Sequence, residues 1–175
     1  MEAPEKLLQV MQTAVQMEID GKAFYLKAAE MSGNALGVKL FTQLAAEEDI
    51  HRRAFENIAH ATQAKQGWGE VAFNADQAVE LKTVFAAAAE ELGTAVKVAQ
   101  TELDAVQTAI GMENKSYDLY KEAGQTAASA AEKELLERLA AEESGHRSTL
   151  TDYFEYLSDP SSYFQNKEHH SMDGA

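Results

Sequence analysis

The 175-residue sequence contains no cysteine. This absence excludes disulfide bonds, thiol catalysis, iron–sulfur clusters and zinc sites built from thiolates. A transition-metal site in this sequence would therefore have to use histidine and carboxylate side chains, which are the strong ligands that remain.

Proline and glycine are scarce, with 2 and 10 residues, and runs of β-branched residues are absent. Because proline, glycine and β-branched residues are the ones that disfavour helices, the composition favours an all-α protein. A chain of 19.1 kDa is most simply one domain with a sizeable core. We predict a single domain over residues 1–160, followed by a polar C-terminal tail over residues 161–175.

Long apolar runs are missing as well, since none approaches the roughly 18 residues that a membrane-spanning helix needs. The first residues also lack the basic segment and apolar run of a signal peptide. Basic residues are outnumbered, 15 against 29 acidic ones, which gives a net charge of −14. We therefore predict a cytoplasmic protein that has neither nucleic acid nor a membrane as its partner.

Apolar residues recur at helical spacing in four segments. The pattern predicts helices over about residues 5–31 and 35–65, and a third that starts near Thr94 or Thr101 and ends at Gly124. The fourth helix is predicted to begin at Ser129 and to stop before Asp159-Pro160. Ser32-Gly33-Asn34 separates the first two helices, and Asn34 is a candidate N-cap. The less regular stretch 66–93 is predicted to be a long crossover.

Two Glu-x-x-His motifs are the most informative feature of the sequence. They are Glu48-x-x-His51 and Glu143-x-x-His146, and a single glutamate lies thirty positions before each, at Glu18 and Glu113. The second set is the first displaced by a constant 95 residues. Aligning residues 17–55 with 112–150 gives 13 identities in 39 positions. The helix pairs are therefore predicted to be related by a pseudo-two-fold axis.

Glu and His three positions apart lie on one face of a helix, so each motif offers an oxygen and a nitrogen to the same point. Taken singly, each of these side chains would most simply be exposed to solvent, but all six lie on apolar stripes. Burying an unpaired carboxylate is costly, and no lysine or arginine occupies an inner position. Two divalent ions would balance four carboxylates, which predicts a dinuclear metal centre inside a four-helix bundle. The predicted ligands are Glu18, Glu48, His51, Glu113, Glu143 and His146.

Other polar residues near the motifs are weaker candidates. Glu47 and Glu142 lie one turn from the histidines but off the stripe, and we interpret them as flanking residues. Tyr25 and Tyr120, seven positions after Glu18 and Glu113, are the candidate catalytic residues. Each could orient a carboxylate or simply pack in the core. Tyr117 is a weaker alternative, and three further histidines are predicted to lie on the surface: His60, His169 and His170.

The ligand types indicate which metal the site would hold. One imidazole per ion in a carboxylate-rich site suits iron or manganese, whereas zinc favours more nitrogen or sulfur. We expect two iron ions, with manganese as the alternative. Glu48 and Glu143 are predicted to bridge the ions, with Glu18 and Glu113 as terminal ligands and one histidine on each ion.

These motifs resemble those of the rubrerythrin family of the ferritin-like superfamily, over about residues 5–157. The pointers in the first half are Glu18, Gly21, Phe24-Tyr25 and Ala46-Glu47-Glu48-x-x-His51. Those in the second half are Glu113, Tyr120 and Ala141-Glu142-Glu143-x-x-His146. The resemblance implies an all-α, ferritin-like four-helix bundle with a long crossover between helices two and three. It also implies a di-iron site, reduction of hydrogen peroxide to water, a role in oxidative-stress defence and a homodimer.

Two departures from the family pattern bear on function. Rubrerythrins usually carry a C-terminal rubredoxin domain with four cysteines, which this sequence lacks, so electrons are expected from a separate donor protein. The family also places an extra carboxylate three residues after the glutamate of the third helix, where this sequence has Ser116. The remaining set of four glutamates and two histidines is similar to a bacterioferritin ferroxidase centre.

Three functions are consistent with this pattern. The leading hypothesis is a di-iron oxidoreductase that reduces hydrogen peroxide or dioxygen. The second is a ferritin-like protein that oxidises, binds or stores iron. The third is a bundle in which metal ions serve only to stabilise the fold.

Overall fold

The computed structural model describes residues 3–64, 89 and 100–165. Four long helices account for most of them, and these ranges contain no β-strand. The helices are α1 (Ala3–Met31), α2 (Ala35–Gln63), α3 (Gln100–Gln125) and α4 (Ala130–Ser158). The predicted all-α class is confirmed. The crossover predicted at 66–93 lies, apart from residue 89, outside the described residues, as do His169 and His170.

The helix starts follow the predicted capping chemistry. The Asn34 side chain accepts a hydrogen bond from the Gly37 N–H at 2.9 Å, which caps α2. Ser129 Oγ accepts from the Glu132 N–H at 3.2 Å and caps α4. The Glu132 carboxylate in turn accepts from the Ala128 N–H at 2.7 Å. Side-chain oxygens thus satisfy N–H groups that would otherwise lack partners at the starts of α2 and α4.

The helices pack in two sequential pairs, α1 with α2 and α3 with α4, and α1 also contacts α3. Buried apolar side chains form two separate clusters. Tyr25 and Phe41 belong to the first cluster, with Leu150, whereas Tyr120 and Leu136 belong to the second, with Phe55. A shift of 95 residues converts Tyr25 to Tyr120, Phe41 to Leu136 and Phe55 to Leu150. The shift therefore exchanges the clusters, as the predicted pseudo-two-fold axis requires.

The chain continues to pack after α4 ends. Residues 160–165 are helical, and the Tyr163 ring lies edge-on to the Tyr156 ring with centroids 5.6 Å apart. Tyr163 is 7% exposed and belongs to the first cluster. Packing against the core thus extends to at least these residues, while the division into domain and tail at residue 160 stays a prediction. No helix in the described part of the chain has the length and apolar character needed to cross a membrane.

A buried carboxylate joins the α1–α2 connection to the other helix pair. Glu102 on α3 accepts hydrogen bonds from Ser32 Oγ at 2.5 Å, Asn34 Nδ2 at 3.1 Å and the Tyr153 hydroxyl at 2.6 Å. Burying a carboxylate is tolerable because these donors replace water. The helical periodicity of the sequence does not predict this cluster.

Gly37 packs directly against this polar cluster, so a larger residue should destabilise the fold. A Cβ atom there would overlap the oxygens of Ser32, Glu102 and Tyr153. We expect Gly37→Ala to lower the free energy of unfolding by about 1–3 kcal/mol in urea denaturation. Gly111→Ala is the matched control, because its Cβ would meet no atom within 4 Å. It should raise stability by about 0.5–1 kcal/mol through helix propensity alone; a stabilised Gly37→Ala would contradict the packing.

Candidate metal centre

The six predicted ligands converge between the two apolar clusters, although they come from all four helices. Each of them is at most 5% exposed to solvent. Because Glu and His three apart share a helix face, α2 and α4 each contribute a carboxylate and an imidazole, while α1 and α3 each contribute one carboxylate. The six residues are Glu18, Glu48, His51, Glu113, Glu143 and His146.

Their candidate ligand atoms form two overlapping groups. Glu48, Glu113, Glu143 and His146 make one group, and Glu143 also joins Glu18 and His51 in the other. Within each group the candidate ligand atoms lie within 4.8 Å of one another. Two groups that share one carboxylate are the arrangement expected for neighbouring ion positions.

Glu143 lies between the two histidines. Its Oε1 is 3.2 Å from His51 Nδ1, and its Oε2 is 3.5 Å from His146 Nδ1. The two imidazole rings are nearly parallel, with centroids 5.6 Å apart and an interplanar angle of 15°. Both Nδ1 atoms thus face the carboxylates, and Glu143 reaches both halves of the cluster.

Several buried atoms in the cluster lack a hydrogen-bond partner. They are Glu18 Oε2, Glu113 Oε2, both oxygens of Glu143, and His146 Nδ1. Buried polar atoms without partners are rare in folded proteins and call for an explanation. Oxygen and imidazole nitrogen atoms that face a common point fit a divalent metal ion, so the donor set present here suits the predicted group.

Two further glutamates contact the imidazole rings at Nε2, the nitrogen that faces away from the four carboxylates. His51 Nε2 lies 2.7 Å from Glu142 Oε2, and His146 Nε2 lies 2.7 Å from Glu47 Oε2. Both glutamates are buried, at 4% and 8% exposure for Glu47 and Glu142. Each therefore contacts the histidine of the opposite helix pair and directs its Nδ1 towards the carboxylates.

The interpretation of Glu47 and Glu142 as mere flanking residues is therefore incomplete. The doubled Glu-Glu in each motif was the available indication of their role. Their partners could not be inferred from helix periodicity, because the contacts cross from α2 to α4.

The tyrosine contacts follow the same crossed pattern. The Tyr25 hydroxyl donates a hydrogen bond to Glu113, and the Tyr120 hydroxyl donates to Glu18. Of the two alternatives for these tyrosines, the contacts favour orientation of a carboxylate over simple packing. Tyr117 instead accepts a hydrogen bond from Lys121 Nζ at 3.0 Å and does not show this contact. His60 is exposed, as predicted.

Burial and mutual repulsion disturb the acid–base properties of the cluster. Burial, together with the charge of Glu143, raises the pKa of Glu113 to about 8. Burial and the neighbouring Glu18 also raise the pKa of Glu48. For Glu143, burial acts in the same direction but is outweighed by the contacts of this carboxylate with Glu113, His146 and His51, so its pKa lies well below the usual value.

For the two histidines, burial acts in the opposite direction and lowers the pKa. Burial disfavours a charged imidazole, yet the hydrogen bond to Glu142 and the close contact with Glu143 outweigh it and raise the pKa of His51 well above its usual value. The pKa of His146 is raised in the same way, with Glu113 making the largest opposing contribution. The cluster thus attracts positive charge, which either protons or metal ions can supply.

A comparison with protein families agrees with this geometry. The family model for rubrerythrin matches residues 9–154, which is most of the chain. The chain belongs to the rubrerythrin family. A ferritin-like helical bundle follows from that membership and agrees with the four helices described above. Neither a curated protein nor a solved structure matches the chain.

Membership of the rubrerythrin family also bears on the cluster. Rubrerythrin-family proteins bind iron, and here the buried carboxylates and histidines could bind metal at the predicted place. The assignment of the six side chains as ligands, with Glu48 and Glu143 as bridges, stays a prediction. So does the catalytic role of Tyr25 and Tyr120.

The crossed Glu–His contacts should control metal affinity. We expect Glu47→Ala and Glu142→Ala each to weaken Fe(II) binding by about 10- to 100-fold, because the imidazole loses the partner that orients it. Anaerobic titration against a competing chelator would measure the change. Glu137→Ala on α4, whose side chain is 62% exposed, is the matched control and should bind iron as the wild type does. Unchanged affinity in both test variants would contradict an orienting role.

Metal should stabilise the fold because it cancels the repulsion among the buried carboxylates. With free Fe(II) at about 100 times its dissociation constant, we expect Tm to rise by roughly 5–10 °C over the EDTA-treated protein. Calcium at the same concentration controls for general screening of the acidic surface and should have a smaller effect. The same Tm with iron as with EDTA would show that the cluster holds no ion.

Proposed function

We propose that this protein is a non-haem di-iron oxidoreductase of rubrerythrin type, which reduces hydrogen peroxide or dioxygen. Its electrons would come from a separate donor protein. The observation that carries the proposal is the convergence of four glutamates and two histidines in one buried cluster. Further glutamates and tyrosines contact these side chains from the opposite helix pair, in the same way in both halves of the repeat.

The chemistry of the ligands supports iron as the metal. Six side chains would hold the ions, with two of the carboxylates as bridges. The proposed bridges are Glu48 and Glu143, and the remaining ligands are Glu18, Glu113, His51 and His146. Carboxylate-rich sites with one imidazole per ion suit iron, with manganese as the alternative. A pair of Fe(II) ions supplies the two electrons that cleavage of an O–O bond requires.

The surrounding residues would keep the site in one arrangement during turnover. Glu47 and Glu142 fix the ring orientation of the histidines, so that each Nδ1 faces the carboxylates that would hold the ions. Burial and the nearby Glu113 raise the pKa of Tyr25, and burial and Glu18 raise that of Tyr120. Both hydroxyls thus remain protonated and can keep donating to their carboxylates. The two apolar clusters limit the entry of water, which strengthens these electrostatic contacts.

Storage or oxidation of iron is the second candidate. One observation favours it: Ser116 stands where the family pattern has an extra carboxylate, which leaves the six-residue set similar to a bacterioferritin ferroxidase centre. In that case iron is the substrate, and dioxygen or peroxide is consumed as it is oxidised.

The proposal includes partners and a location. The sequence holds no cysteine, so the donor of electrons is proposed to be another protein. A homodimer is proposed from the family resemblance, and the cytoplasm from the composition. Size-exclusion chromatography would separate a dimer from the large shell that storage implies.

Rapid mixing of the reduced, iron-loaded protein with oxidants tests the proposed activity. We expect oxidation of the iron, followed by absorbance, to be faster with hydrogen peroxide than with an equal concentration of dioxygen. Glu143→Ala, which lacks the shared carboxylate, should lose this reaction. Fast oxidation by dioxygen with slow oxidation by peroxide would favour iron oxidation and storage instead.

A further inference from the structure

The cluster departs from its pseudo-two-fold symmetry at one pair of residues. Glu48 and Glu143 are equivalent by the shift of 95, yet their carboxylates lie differently. Glu143 approaches the Nδ1 atoms of both histidines, at 3.2 and 3.5 Å. Glu48 lies 3.9 Å from His146 Nδ1 and joins only the group that contains this histidine.

The backbone next to Glu48 gives a reason for the difference. Gly21 on α1 is buried, and its missing side chain leaves room for the Glu48 carboxyl group. A Cβ atom on Gly21 would lie 3.3 Å from Glu48 Cδ and 3.4 Å from Oε2. The equivalent position in the second half is Ser116, which has a side chain. Glu48 can therefore lie against α1, in a place that the repeat does not offer to Glu143.

The other symmetric pairs of the site keep their equivalence. Each outer imidazole nitrogen is 2.7 Å from a glutamate of the opposite helix pair, and each tyrosine hydroxyl donates to a carboxylate of the opposite half. The difference between Glu48 and Glu143 is thus not a general distortion of one half of the bundle. It is confined to the carboxylate that lies beside Gly21.

We propose that Gly21 is a positioning residue that makes the two ion positions unequal. One position has Glu48, Glu113, Glu143 and His146 as its donors, and the other has Glu18, His51 and Glu143. The position with four donors would bind a divalent ion first and more tightly. This inference rests on the dinuclear centre of the proposed function and adds the order in which its ions bind. It replaces one detail of that centre, because Glu48 becomes a ligand of one ion only and Glu143 the single bridging carboxylate.

Substitution of Gly21 should make the positions more alike. In Gly21→Ala, the added Cβ would be closer to Glu48 than most packing contacts are, so the carboxyl group should shift away from α1 by a few tenths of an ångström. That shift would bring the carboxyl group closer to the second ion position and make its place more like that of Glu143. Because even outer partners of a metal ligand change affinity by about 10- to 100-fold, gaining or losing a direct ligand should be easily measured.

Co(II) titration of the metal-free protein provides the test, followed by calorimetry and by visible absorption with a competing chelator. We expect two ions to bind to the wild type with dissociation constants that differ by about tenfold or more. In Gly21→Ala the ratio should fall to about threefold or less. Gly111→Ala is the control for helix propensity and should keep the wild-type ratio.

Two carboxylate variants give an independent test that does not depend on Gly21→Ala folding well. Glu143→Gln should weaken both binding steps, whereas Glu48→Gln should weaken the tighter step and leave the weaker step nearly unchanged. Three results would overturn this inference but not the dinuclear centre: equal affinities in the wild type, an unchanged ratio of dissociation constants in Gly21→Ala, or identical effects of the two Gln variants. Binding of fewer than two Co(II) ions by the wild type would overturn the dinuclear centre itself.

Discussion

The repulsion among four buried carboxylates is the constraint on which this structure depends. Glu18, Glu48, Glu113 and Glu143 come from four helices, and burial deprives them of the water that would screen their charges. Protons and imidazolium groups can offset the negative charge, but they leave several buried oxygen and nitrogen atoms of the cluster without a hydrogen-bond partner. Divalent ions satisfy both needs together, since they supply charge and coordinate oxygen and nitrogen atoms. A bundle of this kind joins its helices through the site as well as through its apolar clusters.

The internal repeat explains how one chain builds such a site. In each helix pair, one helix supplies a single glutamate and the other supplies a Glu-x-x-His motif. The two pairs thus form two half-sites that face each other. The supporting contacts cross between halves: Glu142 to His51, Glu47 to His146, and each tyrosine to the opposite single glutamate. Because each half orients the ligands of the other, separating the helix pairs would disrupt both half-sites together. The family membership agrees with this plan.

Much of this arrangement could be predicted from the sequence, because helical periodicity and a fixed offset are local properties. Spacing predicts the approximate helix bounds, except for the start of the third helix, and the inward position of the six candidate ligands. Residue type predicts the caps at Asn34 and Ser129. Contacts between distant helices could not be predicted in this way. Glu102 is the plainest example, since its donors lie about 50–70 residues away in the chain and on different elements. The two glutamates behind the histidines were visible in the sequence, but their partners were decided by packing.

The most direct test of a buried dinuclear centre is an anomalous-difference map from crystals of the protein purified without added metal. Data collected at the iron absorption edge should show two peaks per chain, both enclosed by the carboxylates and the Nδ1 atoms of His51 and His146. With manganese bound, the peaks would appear at the manganese edge in the same place. Peaks confined to the acidic surface, or an enclosed cluster with no peak after loading with iron, would contradict the account.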